Sequence, residues 1–108
     1  MLPPRYICRF PGEMITHHLS IRGRVQGVGF RNYMVCKAQQ LGISGWVRNR
    51  NDGSVEAVVR GTQAALAEII ECAHRGPRTA QVSSVTVSDG GEGAEDHFGG
   101  RFESRATT

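Results

Sequence analysis

The sequence predicts an α+β fold in which two helices pack on one face of a four- to five-stranded antiparallel sheet. Two observations predict it. Segments with apolar residues at every second position alternate with two segments whose apolar residues recur every three or four positions, as in helices. Glycine, proline and asparagine residues stand at the borders of these segments, where turns are expected. The length of 108 residues fits one domain.

The first strand and the first helix have clear signals. From Thr16 to Gly23 apolar and polar residues alternate, which indicates a half-buried strand. From Phe30 to Leu41 the large apolar residues recur at helical spacing. Gly42 follows at the position where many helices end with a left-handed residue. We therefore expect a strand, a short connection and a helix.

A hairpin and a second helix follow. Residues 43–49 and 54–61 resemble strands, and Asn51-Asp52-Gly53 between them is a strong turn signal. Thr62 can cap the second helix, and Gly76-Pro77 is expected to end it. The apolar residues of this helix recur on one face, which needs a sheet to cover it.

The C-terminal part contains one clear strand signal and one weak one. Residues 80–88 are rich in valine and complete the order βαββαβ, which is the split arrangement of ferredoxin-like domains. Residues 89–100 contain five glycines and four acidic residues and are expected to form an exposed loop. A weak alternation in residues 101–105 indicates a short final strand.

The N-terminus differs in composition from the rest of the chain. Residues 1–15 contain three of the four prolines and show no periodicity, so we expect a flexible arm before a domain at residues 16–108. No segment resembles a secretory signal or a membrane span. The three cysteines fit reduced thiols, and Cys36 and Cys72 lie in helical patterns where core residues are expected. We expect a cytoplasmic monomer without a membrane partner.

Positive charge is concentrated in the middle of the chain. The formal net charge is +3, but residues 22–60 contain seven basic and two acidic residues and alone carry +5. An anionic ligand would be attracted to this region. The charge also permits RNA binding on the sheet face, although Trp46 is the one clear aromatic candidate on a strand. We expect no nucleic-acid partner, and a non-catalytic binding module stays as an alternative.

The segment Gly23 to Arg31, GRVQGVGFR, is the best candidate for a ligand site. Its three glycines lie between a strand and a helix, where they permit positive φ angles and leave backbone N–H groups unshielded. The helix N-terminus favours an anion, and the Arg31 side chain can bind two phosphate oxygens. The glycine spacing matches neither of the common nucleotide-binding loops. The segment therefore indicates a phosphate-binding loop without a nucleotide site.

Two motifs resemble those of the acylphosphatase family. GRVQGVGFR at residues 23–31 is similar to the signature loop of that family. LGISGWVRN at residues 41–49, followed by DGSVE at residues 52–56, is similar to its second signature and lies at the same distance behind the first. The resemblance covers residues 17–87 and extends to Arg105. It implies the ferredoxin-like sandwich that periodicity also predicts.

The resemblance further implies hydrolysis of the carboxyl-phosphate anhydride of small acyl phosphates, without a metal or another cofactor. It implies that Arg31 binds the phosphoryl group and that Asn49 orients the attacking water. Backbone N–H groups of the loop are implied to wrap the phosphate, and the loop consists of Gly23, Arg24, Val25, Gln26, Gly27, Val28 and Gly29. Inorganic phosphate or sulfate would compete with the substrate. Ser104 and Ala106 depart from the family, which tends to place an apolar and an aromatic residue there.

The residues themselves predict no metal site. The four histidines show neither helical i, i+4 pairing nor neighbouring cysteines. The resemblance also leaves a second alternative open, an acylphosphatase-like domain specific for carbamoyl phosphate, such as those fused to larger maturation enzymes. Cleavage of carbamoyl phosphate without cleavage of simple acyl phosphates would favour that alternative.

Overall fold

Five strands and two helices make up the part of the chain that the structure, a computed structural model, describes: residues 15–89 and 101–107. The strands are β1 (Ile15–Arg24), β2 (Ser44–Asn49), β3 (Val55–Gly61), β4 (Gln81–Asp89) and β5 (Phe102–Arg105). The helices are α1 (Phe30–Leu41) and α2 (Gln63–Arg75). Each predicted element is present and begins and ends close to the expected residues.

The five strands form one sheet in the order β4-β1-β3-β2-β5. β1 pairs antiparallel with β3 and β4, and β2 pairs antiparallel with β3. β5 is parallel to β2, with Val47 opposite Ser104, so the sheet is mixed where antiparallel pairing was expected throughout. The alternation within a strand reports which side chains face the core but not the direction of its neighbour. β4 and β5 lie on opposite edges, so they are not hairpin neighbours that must be antiparallel.

Both helices pack on the same face of the sheet and enclose one apolar core. Alternate residues of the strands face the helices, and Leu19 and Ile21 of β1 are 0% exposed. The helices contribute the buried residues Phe30, Met34, Ala38, Leu66, Ile69 and Ala73. The other face of the sheet carries polar side chains such as His18 and Ser20, which alternate with the core residues of β1.

The helix ends follow the predicted local signals. Gly42 ends α1 with a φ of 71°, and its N–H group donates to the carbonyls of Ala38 and Gln39. The side-chain oxygen of Thr62 accepts the N–H group of Ala65 at 3.2 Å and caps α2. These caps determine where α1 stops before β2 and where α2 starts after β3.

One expectation about the helices is wrong. Cys36 of α1 is exposed, whereas Cys72 of α2 is buried as expected. Cys36 is two residues from each of the buried residues Met34 and Ala38, and two positions correspond to about 200° around a helix. Its side chain therefore faces away from the core.

Two predictions concern residues outside the described part of the chain. The expected N-terminal arm includes residues 1–14, and the expected loop includes residues 90–100. Ile15, the last residue assigned to the arm, is the first residue of β1, and Asp89 ends β4. Of the helices in residues 15–89 and 101–107, none is long and apolar enough to cross a membrane.

Candidate active site

The loop between β1 and α1 is anchored in the core at one residue and exposed at others. Val25 is 1% exposed and packs in the core. Gly27 and Gly29 are exposed and have φ angles of 73° and 81°, which side chains with a Cβ rarely adopt. Since no Cβ covers the backbone at these positions, the N–H groups of this loop are accessible to an anion.

The start of α1 adds to the attraction for an anion. Gly29 is the N-cap, and no side chain forms a capping hydrogen bond with the first turn. The first N–H groups of a helix have no partner within the helix, and the helix dipole is positive at this end. The first turn also contains no acidic residue. A phosphate group is therefore favoured at this position.

A cavity of about 240 Å³ opens at the start of α1. It lies between the loop and the first turn of α1 on one side and the end of β2 and β5 on the other. The lining residues are Val25, Gly27, Gly29, Phe30, Arg31, Asn32, Asn49 and Ser104. A cleft of this size leaves room for a phosphoryl group with a small substituent.

Arg31 is half-buried in the first turn of α1. Its Nη1 donates a hydrogen bond to the backbone carbonyl oxygen of Arg105 at 3.1 Å. Among residues 15–89 and 101–107, no carboxylate forms an ion pair with Arg31. It is also the one charged side chain among the described residues that line the cavity. Its positive charge is therefore available to an anion.

Asn49 is the last residue of β2, and its neighbours determine the side on which its side chain lies. Arg48 Nε and Arg50 Nη1 both donate to Oε1 of Glu56, at 2.8 and 2.9 Å. Nε2 of His18 lies 2.6 Å from the other oxygen of this carboxylate. Because successive side chains of a strand alternate between its faces, the Asn49 amide lies on the side of the helices, where it lines the cavity.

The carboxylate of Glu56 anchors this strand end from the open face of the sheet. Burial raises the pKa of Glu56, but hydrogen bonds from His18, Arg48 and Arg50 outweigh this effect and lower the pKa to about 2. The side chain is 14% exposed and stays ionised at neutral pH. The two residues that flank Asn49 are thus held by a carboxylate that is negatively charged at neutral pH.

The structure brings together some of the predicted site residues and leaves others outside the cavity. The predicted residues that line it are Val25, Gly27, Gly29, Arg31 and Asn49. The loop residues that do not line it are Gly23, Arg24, Gln26 and Val28. Asn32 and Ser104 line it without having been predicted. Asn32 could have been found from its place beside Arg31 in the first helical turn, whereas the position of Ser104 depends on the pairing of β5 with β2.

No group of three histidine, cysteine, aspartate or glutamate side chains that could hold a metal ion occurs within the described ranges 15–89 and 101–107. The polar groups around the cavity are instead amides, a hydroxyl, a guanidinium and backbone N–H groups. This set of donors suits an oxyanion.

Comparison with known proteins identifies the family. The sequence profile of the acylphosphatase family matches residues 17–103. An acylphosphatase from Thiobacillus denitrificans is 50% identical over 93 residues, which cover 86% of this chain and 99% of the relative. The crystal structure of an acylphosphatase from Bacillus subtilis matches with a TM-score of 0.77 and 33% identity, covering 84% of this chain and 98% of that one. The structure of an acylphosphatase from Coxiella burnetii matches with a TM-score of 0.78 and 33% identity, covering 87% and 95%. The chain is therefore an enzyme that belongs to the acylphosphatase family.

Proposed function

We propose that this protein hydrolyses acyl phosphates to a carboxylate and inorganic phosphate in the cavity between the loop, α1 and β2. The observation that supports this best is that Arg31 and Asn49 line the same cavity as the start of α1. An arginine and a helix N-terminus suit a phosphoryl group, and a neutral amide suits a water molecule. Membership of the family supports the class of reaction.

The leaving group explains why so few side chains suffice. An acyl phosphate releases a carboxylate, whose conjugate acid has a pKa of about 4. At neutral pH this group needs no proton to depart, so no general acid is required. Catalysis then consists mainly of positioning the reactants and stabilising charge on the phosphoryl oxygens.

In this proposal Arg31 and the loop bind the phosphoryl group. The guanidinium can donate two parallel hydrogen bonds to two phosphate oxygens. Its bond to the Arg105 carbonyl orients it without neutralising it, because a carbonyl carries no net charge. Backbone N–H groups of the loop and of the first turn of α1 add donors around the remaining oxygen. Donors that are held in place in this way stabilise charge in the transition state.

Asn49 holds the attacking water in the proposed mechanism. A carboxylate at this position would be repelled by the phosphate dianion, whereas an amide orients water without adding charge. The water oxygen forms a bond to phosphorus, and the bond from phosphorus to the acyl oxygen breaks with its electron pair going to the carboxylate. An amide is not a base, so the water proton passes to a phosphate oxygen. This proposed reaction uses no metal and no cofactor.

The open face of the sheet argues against RNA binding as the function. Trp46 is the one aromatic residue on a strand that the sequence offered as a candidate for base stacking in the alternative of an RNA-binding module. The guanidinium carbons of Arg48 and Arg105 lie 4.8 and 5.0 Å from its ring centroid, so the ring already makes cation–π contacts within the protein. A nucleobase would have to displace these contacts in order to stack.

Hydrolysis of benzoyl phosphate with and without EDTA tests the proposal. We expect turnover that EDTA leaves unchanged and that inorganic phosphate or sulfate inhibits competitively. Carbamoyl phosphate hydrolysis and RNA binding at near-physiological salt are measured in parallel. Absence of benzoyl phosphate hydrolysis would overturn the proposal. Cleavage of carbamoyl phosphate alone would then favour the narrower specificity, and RNA binding without hydrolysis would favour a binding module.

A further inference from the structure

The side chain of Gln26 links the phosphate-binding loop to the hairpin between β2 and β3. Gln26 is half-buried, and it is not among the residues that line the cavity. Its Nε2 donates to the backbone carbonyl of Arg50 at 2.7 Å and to that of Ser54 at 2.9 Å. The two acceptors lie 24 and 28 residues further along the chain. One carboxamide nitrogen thus crosses from the loop to the hairpin.

The two carbonyls belong to the residues that close the hairpin turn. The N–H group of Arg50 donates to the carbonyl of Ser54 at 2.8 Å, and the N–H group of Gly53 donates to the carbonyl of Arg50 at 3.1 Å. Oδ1 of Asp52 accepts both the N–H group and the hydroxyl of Ser54, at 2.9 and 2.6 Å. The turn is therefore well ordered by its own bonds, and it offers Nε2 two acceptors at fixed positions.

Both ends of this link lie next to residues that line the cavity. Gln26 lies between Val25 and Gly27, and Arg50 directly follows Asn49. The bonds made by Gln26 therefore connect the loop to the residue that follows Asn49. Glu56 holds the same strand end through the side chains of Arg48 and Arg50. The strand end is therefore held by two independent sets of bonds.

We infer that Gln26 is a positioning residue, whose side chain holds Asn49 at the correct distance from the phosphate-binding loop and does not itself contact the substrate. This inference rests on the proposed role of Asn49. The carboxamide is well suited to the task because its nitrogen has two N–H donors for two carbonyls. Leucine fills a similar volume without donors, and methionine has a similar length without donors.

A double-mutant cycle tests the inference. Turnover of benzoyl phosphate and inhibition by inorganic phosphate are measured for Gln26→Leu, Asn49→Ala and the double variant. We expect Gln26→Leu to lower kcat about 10-fold in the wild-type background, since small displacements of a positioned group cost this much or more. In the Asn49→Ala background it should lower kcat by less than about 2-fold, because the group it positions is gone. The inhibition constant of phosphate should change little, since the loop donors and Arg31 remain.

Thr79→Val is the matched control. The hydroxyl of Thr79 donates to the carbonyl of Val28 at 3.0 Å, so it also holds the loop by a bond to the backbone, but it does not reach the hairpin. Thr79→Val should change kcat by the same factor in the wild-type background and in the Asn49→Ala background. Gln26→Met repeats the cycle with a flexible side chain in case the leucine variant folds poorly.

Three results would overturn the inference. An equal loss of kcat from the Gln26 variants in both backgrounds would show that this side chain does not act through Asn49. A parallel weakening of phosphate inhibition would assign it to phosphate binding instead. Full turnover by Asn49→Ala would refute the proposed role of that amide, and the inference would fail with it. The first two results leave the proposed function intact. A failure of the inference about Gln26 can therefore be distinguished from a failure of the proposed function.

Discussion

Nη1 of Arg31, on the first turn of α1, donates a hydrogen bond to the backbone carbonyl of Arg105, the last residue of β5. The two residues are 74 positions apart, and the bond length is 3.1 Å. Because the acceptor is a neutral carbonyl rather than a carboxylate, the bond restrains the guanidinium and leaves its charge uncompensated. The edge strand β5 therefore orients the arginine that faces the cavity.

We expect Arg31→Ala to lower kcat for benzoyl phosphate by about 10²-fold, the usual effect of removing one preorganised charge-stabilising donor. Inhibition by inorganic phosphate should weaken as well, because the same guanidinium binds the anion. Arg31→Lys keeps the positive charge but loses the two parallel hydrogen bonds of a guanidinium, so its kcat should lie between those of the wild type and Arg31→Ala. Arg78→Ala is the control, since Arg78 is exposed and does not line the cavity. Equal activities of Arg31→Ala and Arg78→Ala would contradict the assignment.

Asn49→Ala should separate turnover from phosphate binding. We expect kcat to fall about 10- to 100-fold because the water loses its partner, while the inhibition constant of phosphate stays nearly unchanged. Asn49→Asp should weaken phosphate inhibition in addition, through charge repulsion. Asn51→Ala changes an exposed asparagine of the nearby turn and should leave both quantities as in the wild type. Equal weakening of phosphate binding by Asn49→Ala and Arg31→Ala would refute this division of roles.

The network around Glu56 should make stability depend on pH. The pKa of Glu56 is lowered from 4.5 to about 2, so its contribution to stability is fully present above about pH 4.5 and is lost as the pH falls toward 2. We expect Glu56→Gln to lower the free energy of unfolding by about 1–3 kcal/mol at pH 7, since hydrogen bonds to a charged group are lost. Urea unfolding at pH 7 and at pH 2–3 measures the free energy of unfolding of Glu56→Gln and of the wild type. The difference between these two free energies should be smaller at pH 2–3 than at pH 7.

Glu103→Gln is the control for that experiment. Glu103 pairs with Arg105 at 3.2 Å, but its side chain is 59% exposed, and exposed pairs contribute little. A loss of stability as large for Glu103→Gln as for Glu56→Gln would argue against the special role of the half-buried Glu56 carboxylate. So would a difference between Glu56→Gln and the wild type that persists undiminished at pH 2.

Sequence signals predicted well those features that depend on neighbouring residues in the chain. Gly42 and Thr62 cap the helices at the expected positions, because capping is decided within one helical turn. Some features that depend on contacts between distant segments were not predicted. The parallel pairing of β5 with β2 and the place of Ser104 in the cavity are of this kind.

The candidate site also contains residues whose roles follow from local sequence and residues whose roles depend on distant segments. The glycines and Arg31 could be interpreted from local chemistry, since a loop before a helix N-terminus suits an anion. Asn49 could not, because an asparagine beside a turn commonly bonds to its own backbone. Its place in the same cavity as Arg31 depends on how the sheet and α1 pack, and it was expected at the site only through the resemblance of two motifs. The role inferred for Gln26 depends on bonds across 24 and 28 residues and had no local signal.

Gly23 and Gly29 should respond differently to alanine. Both have positive φ, at 124° and 81°. A Cβ at Gly29 meets no atom within 4 Å, so Gly29→Ala should cost only the backbone strain of about 1–2 kcal/mol. A Cβ at Gly23 would lie 2.3 Å from the carbonyl oxygen of Gln81, so Gly23→Ala must also displace β4 from β1. We expect a larger loss in urea unfolding and faster amide exchange along β4, and equal stabilities of the two variants would contradict this.

Ser104→Phe should change the selectivity for the acyl group. Ser104 is an exposed residue of β5 that lines the cavity, and Val47, opposite it on β2, is fully buried. A phenylalanine ring would occupy part of the 240 Å³ cavity away from the loop, so the space for a large acyl group should shrink while phosphoryl binding is kept. We expect KM for benzoyl phosphate to rise about 10-fold relative to KM for acetyl phosphate, with unchanged inhibition by inorganic phosphate. Glu103→Phe places the same ring on the opposite face of β5 and should leave this ratio unchanged. If both substrates are affected equally by Ser104→Phe, Ser104 does not border the acyl group.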